Sequence, residues 1–205
     1  MKLLKINYLS VFVLLLSCSF LAQAQRLELR FNKEFSNDEM LNKTLGGGAS
    51  FIIDGWHEHL DFQINFDYAG HKEDVDNQGF STKIAKYKGG FSALYTHTLW
   101  NNFMIRLGGD ISYNYINKIV TSWEETNNLS THSNVAHRAQ MFGIGAVAQI
   151  QARLGQAFRI GLGFTPTYLI PLSAKASMPD VECDYKKGLF VLQLQVGIEI
   201  RLANN

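Results

Sequence analysis

The C-terminal segment alternates apolar and polar residues over an unusual length. Every even position from Leu192 to Leu202 is apolar, whereas the odd positions between them are Gln193, Gln195, Gly197, Glu199 and Arg201. A period of two predicts a β-strand with one apolar face. Such a strand is typical of a β-structure that crosses a membrane.

The same alternation recurs along the chain and predicts eight strands, each at least as long as the ~9–11 residues that a tilted strand needs to cross a bilayer. The predicted strands span 26–36, 45–56, 59–70, 84–100, 103–119, 138–154, 157–173 and 187–202.

The predicted connections fall into two classes that alternate strictly. Short turns lie at 55–58, 101–102 and 155–156, and long polar loops at 37–44, 71–83, 120–137 and 174–186. Membrane barrels have short periplasmic turns and longer external loops, whereas a soluble β-sandwich, the alternative, has no reason to sort its loops by end. The predicted fold class is therefore all-β, an eight-stranded antiparallel transmembrane up-and-down β-barrel.

The polar face of the predicted strands carries charges of both signs. This pattern favours a closed polar interior whose charges pair with one another, and a water-facing side of a soluble sheet is the alternative. The charged residues on this face are Glu28, Arg30, Asp54, Asp61, Asp67, Arg106, Asp110, Arg153, Arg159, Glu199 and Arg201.

Aromatic residues gather near both ends of the predicted strands, as expected at the two membrane interfaces. The turn-end group contains Trp56, Trp100, Phe103 and Phe158, with both tryptophans on the inward parity. The loop-end group contains Tyr68, Tyr87, Tyr113, Tyr115 and Tyr168.

The N-terminal segment has the pattern of a secretory signal peptide. Lys2 and Lys5 precede a short apolar run, and Ala22-Gln23-Ala24 offers the small residues that signal peptidase recognises. The run is too short to span a bilayer as a helix. The expected division is a signal peptide over 1–24 and a barrel domain over 25–205, with lipidation of Cys18 as the alternative.

Composition excludes several classes of function. The formal net charge of +1 gives no basic surface for nucleic acid. Of the two cysteines, Cys183 alone follows the predicted cleavage site, which excludes an internal disulfide framework and a thiolate metal cluster in the mature chain.

The last strand resembles a known family. Gln195, Gly197, Ile200 and Leu202 follow the spacing of the C-terminal assembly signal of small Gram-negative outer-membrane β-barrels, the OmpA/OmpX-like or "porin family" type, with Leu202 in place of the usual aromatic residue. The resemblance implies an outer-membrane location, insertion by the barrel-assembly machinery through this strand, contact with outer-membrane lipid and lipopolysaccharide, and a monomer. An eight-stranded interior is filled by side chains, so a diffusion channel is not expected.

Candidate chemistry is sparse. His132-Ser133-Asn134 is similar to the motif of the lipid A deacylases, but adjacent strand residues point to opposite faces and cannot act together. Residues 74–79 resemble half of a calcium loop without its bidentate Glu, and His57-Glu58-His59 offers too few metal ligands. No catalytic, cofactor-binding or metal-binding residue is predicted.

The expected function is therefore non-catalytic: binding, adhesion or envelope maintenance through the external loops, where variable contact residues concentrate. Two alternatives remain open, a lipid A-modifying hydrolase and a barrel subunit of a conjugation or secretion machine of the TraO type. The candidate contact residues are Trp123, Asp74, Asp76 and His132.

Overall fold

A computed structural model describes residues 25–54, 59–75, 80–100, 102–126, 129–178 and 181–202. The predicted signal peptide lies outside these residues, as do Trp56, His57, Glu58 and Asp76. No helix in the described part of the chain is long and apolar enough to cross a membrane.

The described residues form a closed antiparallel barrel whose strands neighbour one another in chain order, which confirms the predicted fold class. The first and last strands close the ring, with Arg26 opposite Arg201. The strands are β1 (Arg26–Ser36), β2 (Leu45–Asp54), β3 (Leu60–Val75), β4 (Phe80–Trp100), β5 (Phe103–Thr126), β6 (Leu129–Arg153), β7 (Phe158–Ala176) and β8 (Leu189–Arg201).

The barrel has two unlike ends. The turn end carries the start of β1, the end of β8 and the connections β2–β3, β4–β5 and β6–β7. The β6–β7 connection includes Gly155 with φ 99°, a backbone conformation that L side chains rarely adopt. The loop end carries the other connections, including a one-turn helix, α1 (Glu39–Asn42), whose Leu41 N–H is capped by the Asp38 carboxylate at 2.9 Å.

The strand faces follow the predicted parity. In β8, Gln193, Gln195 and Glu199 are buried in the lumen, whereas Leu194 and Ile198 are exposed on the outer surface. This inversion of a soluble protein's pattern is expected when lipid surrounds the barrel, because apolar side chains are then stable on the outside.

Two of the predicted long loops are wrong. Strand β3 continues to Val75 and β4 begins at Phe80, so most of 71–83 is strand. Similarly, β5 ends at Thr126 and β6 begins at Leu129, and these two residues lie opposite each other. Most of the predicted loop 120–137 is therefore also strand. Hydrophobic alternation marks only the part of a strand that lies in lipid, and the backbone ladder continues through polar residues beyond it.

The inward parity predicted for Trp100 is also wrong. The register shifts by one residue between Thr98 and Trp100, so Trp100 lies opposite Phe103. Directly opposed residues share a face, and a bulge of one residue reverses the side to which the following side chain points. Trp100 is therefore on the outer surface, 70% exposed, in edge-to-face contact with Phe103. Together with exposed Phe158, these rings form the turn-end aromatic girdle.

Candidate functional site

Charged side chains converge on Glu199 in the turn-end half of the lumen. Glu199 accepts hydrogen bonds from Arg106 at 2.7 Å, from Arg159 at 3.0 Å and from Arg26 at 3.1 Å. Arg26 also binds Asp61 at 2.6 Å. Because one buried carboxylate on β8 is shared by three guanidinium groups, hydrogen bonds across the lumen connect β8 with β1, β5 and β7.

Further pairs continue the network toward the loop end. Arg30 donates to Asp67 at 2.9 Å, and the Lys88 ammonium lies 2.9 Å from Asp110. The Lys86 ammonium donates to Glu34 at 2.7 Å. These pairs are almost completely buried, so each charge is stabilised mainly by its partner.

The inward placement predicted for the charged residues agrees with this geometry, except at two strand ends. Arg153 and Arg201 are exposed at the turn-end rim instead of lying in the lumen, because they stand at the strand ends. Four further charged residues are buried in the lumen at positions that the strand parity places inward, but they are absent from the predicted set: Arg26, Glu34, Lys86 and Lys88.

Toward the loop end the lumen also contains an apolar group, which the polar interior predicted for the whole barrel did not include. We call this group the loop-end cluster. It consists of Leu41, Ile84, Ile116, Ala139, Met141, Leu169, Cys183, Tyr185, Leu189 and Val191. The cluster forms because α1 and the segment 181–186, both predicted as parts of external loops, fold into the barrel mouth and bury apolar side chains there. The predicted strand 187–202 begins instead at Leu189.

Polar contacts hold these covering segments to the strands. Lys118 donates to Asp184 at 2.7 Å, and the Asp184 N–H donates to Nδ1 of His137 at 3.4 Å. Lys43, which follows α1, donates to Glu73 at 2.8 Å, and this hydrogen bond raises the pKa of Lys43. Burial raises the pKa of the hydroxyl of Tyr185, which the covering segment 181–186 places inside the barrel mouth.

The predicted contact residues are spread over two hairpins. Trp123 and His132 lie opposite each other near the tip of the β5–β6 hairpin. Asp74 lies on the other hairpin, β3–β4, where its carboxylate accepts hydrogen bonds from Lys72 and Ser81, both at 2.6 Å. Asp76, the other acidic residue of the calcium-like segment, is outside the described residues.

The described residues contain no group of three His, Cys, Asp or Glu side chains that could hold a metal ion. His132 and Ser133 are consecutive residues of β6, and consecutive residues of a strand belong to opposite faces. The arrangement that the lipid A deacylase mechanism requires is therefore not formed by this pair.

No protein-family model matches the sequence, and no curated protein matches it. Solved structures do match. A major outer-membrane protein of Thermus thermophilus superposes with a TM-score of 0.62 at 14% sequence identity, and the match covers 86% of this chain and 99% of that chain. Neisserial surface protein A gives a TM-score of 0.54 at 12% identity, covering 86% and 95%. Ail, the attachment invasion locus protein of Yersinia pestis, gives a TM-score of 0.53 at 9% sequence identity, and the match covers 86% of this chain and 97% of that chain.

The fold is that of a small bacterial outer-membrane β-barrel. The likeness confirms the predicted resemblance to OmpA/OmpX-like barrels at the level of the fold. The apolar outer surface, on which Leu162, Ile150 and Ile144 are more than half exposed, fits a membrane environment, the setting of the outer-membrane proteins that share this fold.

Proposed function

We propose that this outer-membrane barrel is a non-catalytic binding protein, with the β5–β6 hairpin as its contact surface. The observation that carries the proposal is the length of that hairpin. Strand β5 has 24 residues and β6 has 25. At about 3.3 Å per residue each strand extends roughly 80 Å, whereas the apolar band of such barrels is about 25 Å tall.

A strand pair of this length projects well beyond the membrane even when it is tilted. The sequence of its outer part, residues 121–134, is polar except for Trp123 and Leu129. A polar two-stranded projection has two faces that other molecules can reach. Trp123 and His132, at opposed positions near the tip, are the contact residues that we propose.

The filled lumen supports binding over transport. The Glu199 network occupies the turn-end half, and the loop-end cluster closes the other half. A path for solutes would have to displace both. The neighbouring folds include Ail, an attachment invasion locus protein, which supports an adhesive role without assigning a ligand.

The test shortens the hairpin without disturbing the barrel. Ser122 lies opposite Ser133, so residues 123–132 can be replaced by an Asn-Gly turn that keeps the remaining ladder in register. Bacteria that produce the full chain or the shortened chain are compared for attachment to a cell layer and for survival in detergent. We expect attachment to fall and detergent survival to stay unchanged.

A length-matched control keeps ten residues at the tip but replaces Trp123 and His132 by Ser. Loss of attachment in this control as well would assign the contact to those side chains. Attachment that survives the shortening contradicts the proposed surface and points to the β3–β4 hairpin. A loss of detergent survival in the shortened variant would instead favour envelope maintenance.

A further inference from the structure

The outer surface near the loop end carries a row of tyrosines that marks a membrane interface. Tyr68, Tyr87 and Tyr115 occupy opposed positions on β3, β4 and β5, and their neighbouring ring centroids are 5.2 and 6.3 Å apart. The same row continues through Gln140 on β6 and Ser173 on β7. Tyrosine rings prefer the depth at which lipid headgroups meet the acyl chains.

The next row toward the loop end places two cations side by side. Arg138 on β6 lies directly opposite Lys175 on β7, and both side chains are exposed on the outer surface. Neither one has an acidic ion-pair partner among the residues that the structure describes. Like charges at opposed positions destabilise a sheet, so this pair would be stabilised by an anion.

A groove joins the two rows. It has a volume of about 460 Å³ and is lined by Arg138, Lys175, Tyr115, Gln140 and Ser173, among others. Cations, hydroxyl groups and an amide thus surround one concave surface. Below it on the same face, exposed Tyr168 and Ile170 continue toward the apolar belt. The groove therefore offers donors for an anionic headgroup directly above an apolar track for acyl chains.

We propose that this groove binds a phosphate group of an outer-leaflet glycolipid of the lipid A type, with Arg138 and Lys175 as its ligands. Arg presents a planar fork to phosphate oxygens, and Lys adds a point charge. The position of the groove along the barrel favours a membrane lipid over free phosphate, because the tyrosine row places the groove at the level of the lipid headgroups. The site depends on the outer-membrane location and not on the proposed role of the hairpin tip.

The experiment measures how much lipid remains bound to purified, refolded protein in mass spectra of the intact complex. The protein is reconstituted in phosphatidylcholine vesicles that contain bisphosphorylated lipid A, the same lipid A without phosphates, or phosphatidylglycerol. We expect retention of the phosphorylated lipid A alone. The double variant Arg138→Glu/Lys175→Glu should lower that retention about tenfold, since two charge-assisted contacts are lost.

The matched control is Lys187→Glu, which reverses an exposed charge at the same end of the barrel that does not line the groove. It should retain lipid as the unchanged chain does. The milder Arg138→Gln/Lys175→Gln variant repeats the test if charge reversal prevents folding, which heat-modifiability on a gel detects. Equal retention of phosphate-free lipid A or phosphatidylglycerol overturns the proposal, as does unchanged retention in both double variants. Displacement of the lipid by millimolar inorganic phosphate would assign the groove to free phosphate instead.

Discussion

Arg106 and Glu199 are 93 residues apart in the chain and meet inside the barrel, where Nη1 of Arg106 donates to Oε2 of Glu199 at 2.7 Å. Arg106 is completely buried, and Glu199 is 2% exposed. Arg106 also lies 3.2 Å from Asp61, but Glu199 is the carboxylate that it shares with Arg26 and Arg159. Removal of Glu199 therefore leaves buried positive charge that is only partly compensated.

The first prediction concerns this pair. Glu199→Gln should lower the free energy of unfolding by about 3–5 kcal/mol, because Arg106, Arg26 and Arg159 then share a neutral partner. Urea titration of protein refolded into lipid vesicles measures the change. Glu182→Gln, which removes an exposed ion pair with Lys186, is the control and should have little effect. Equal losses for both variants would show that the lumenal network contributes no special stability.

The second prediction concerns the lipid-facing surface. Ile144→Arg should cost about 2–4 kcal/mol, because Ile144 faces the apolar belt and charge is least tolerated near the middle of the membrane. Leu194→Arg should behave in the same way. Asn134→Arg, on the same strand and face as Ile144 but beyond the belt, should cost much less. The same vesicle titration gives the values, and a cost at Asn134 equal to that at Ile144 would contradict the assigned belt.

The third prediction concerns orientation. An epitope tag inserted at residues 127–128, between β5 and β6, should be labelled on intact cells, and a tag at 155–156 should be labelled only after the outer membrane is opened. Both tagged proteins must show the heat-modifiable band of a closed barrel. The reverse labelling pattern would mean that the turn end faces outward.

The fourth prediction concerns conduction. Protein reconstituted in planar bilayers should show no large, steady single-channel conductance, because the loop-end cluster and the paired charges fill the lumen. Deletion of residues 181–187 removes Cys183 and Tyr185 from the cluster but leaves the Glu199 network in place, so the current should stay as low as that of the intact chain. A large conductance from the intact chain would contradict a filled barrel.

The sequence predicted the architecture because a membrane barrel has a strict pattern. Lipid outside and a narrow lumen inside force each strand to alternate, and the alternation in β6 and β8 identified their outward faces correctly. It also predicted an inward charged face that includes Arg106, Asp61 and Glu199. Charge parity alone did not specify their partners, because those depend on how the ring closes.

The limits of the sequence pattern are equally physical. The lengths of β5 and β6 were underestimated, since hydrogen bonding between backbones extends strands without apolar side chains. Trp100 was assigned to the wrong face, because a bulge leaves no mark in the spacing of apolar residues. Neither the full strand lengths nor the bulge changes the alternation of apolar and polar residues, so that alternation could not predict them.

The sequence by itself therefore determined the strand number, the outward faces and the membrane setting of this protein, all of which follow from local periodicity and the bilayer's demand for an apolar surface. Only the tertiary structure decided which side chains meet. Closure of the ring brings Arg26, Arg106 and Arg159 to one carboxylate, places Arg138 opposite Lys175, and folds Leu41 and Tyr185 into the barrel mouth. These contacts join distant segments, and their geometry depends on register and closure, which no local pattern encodes.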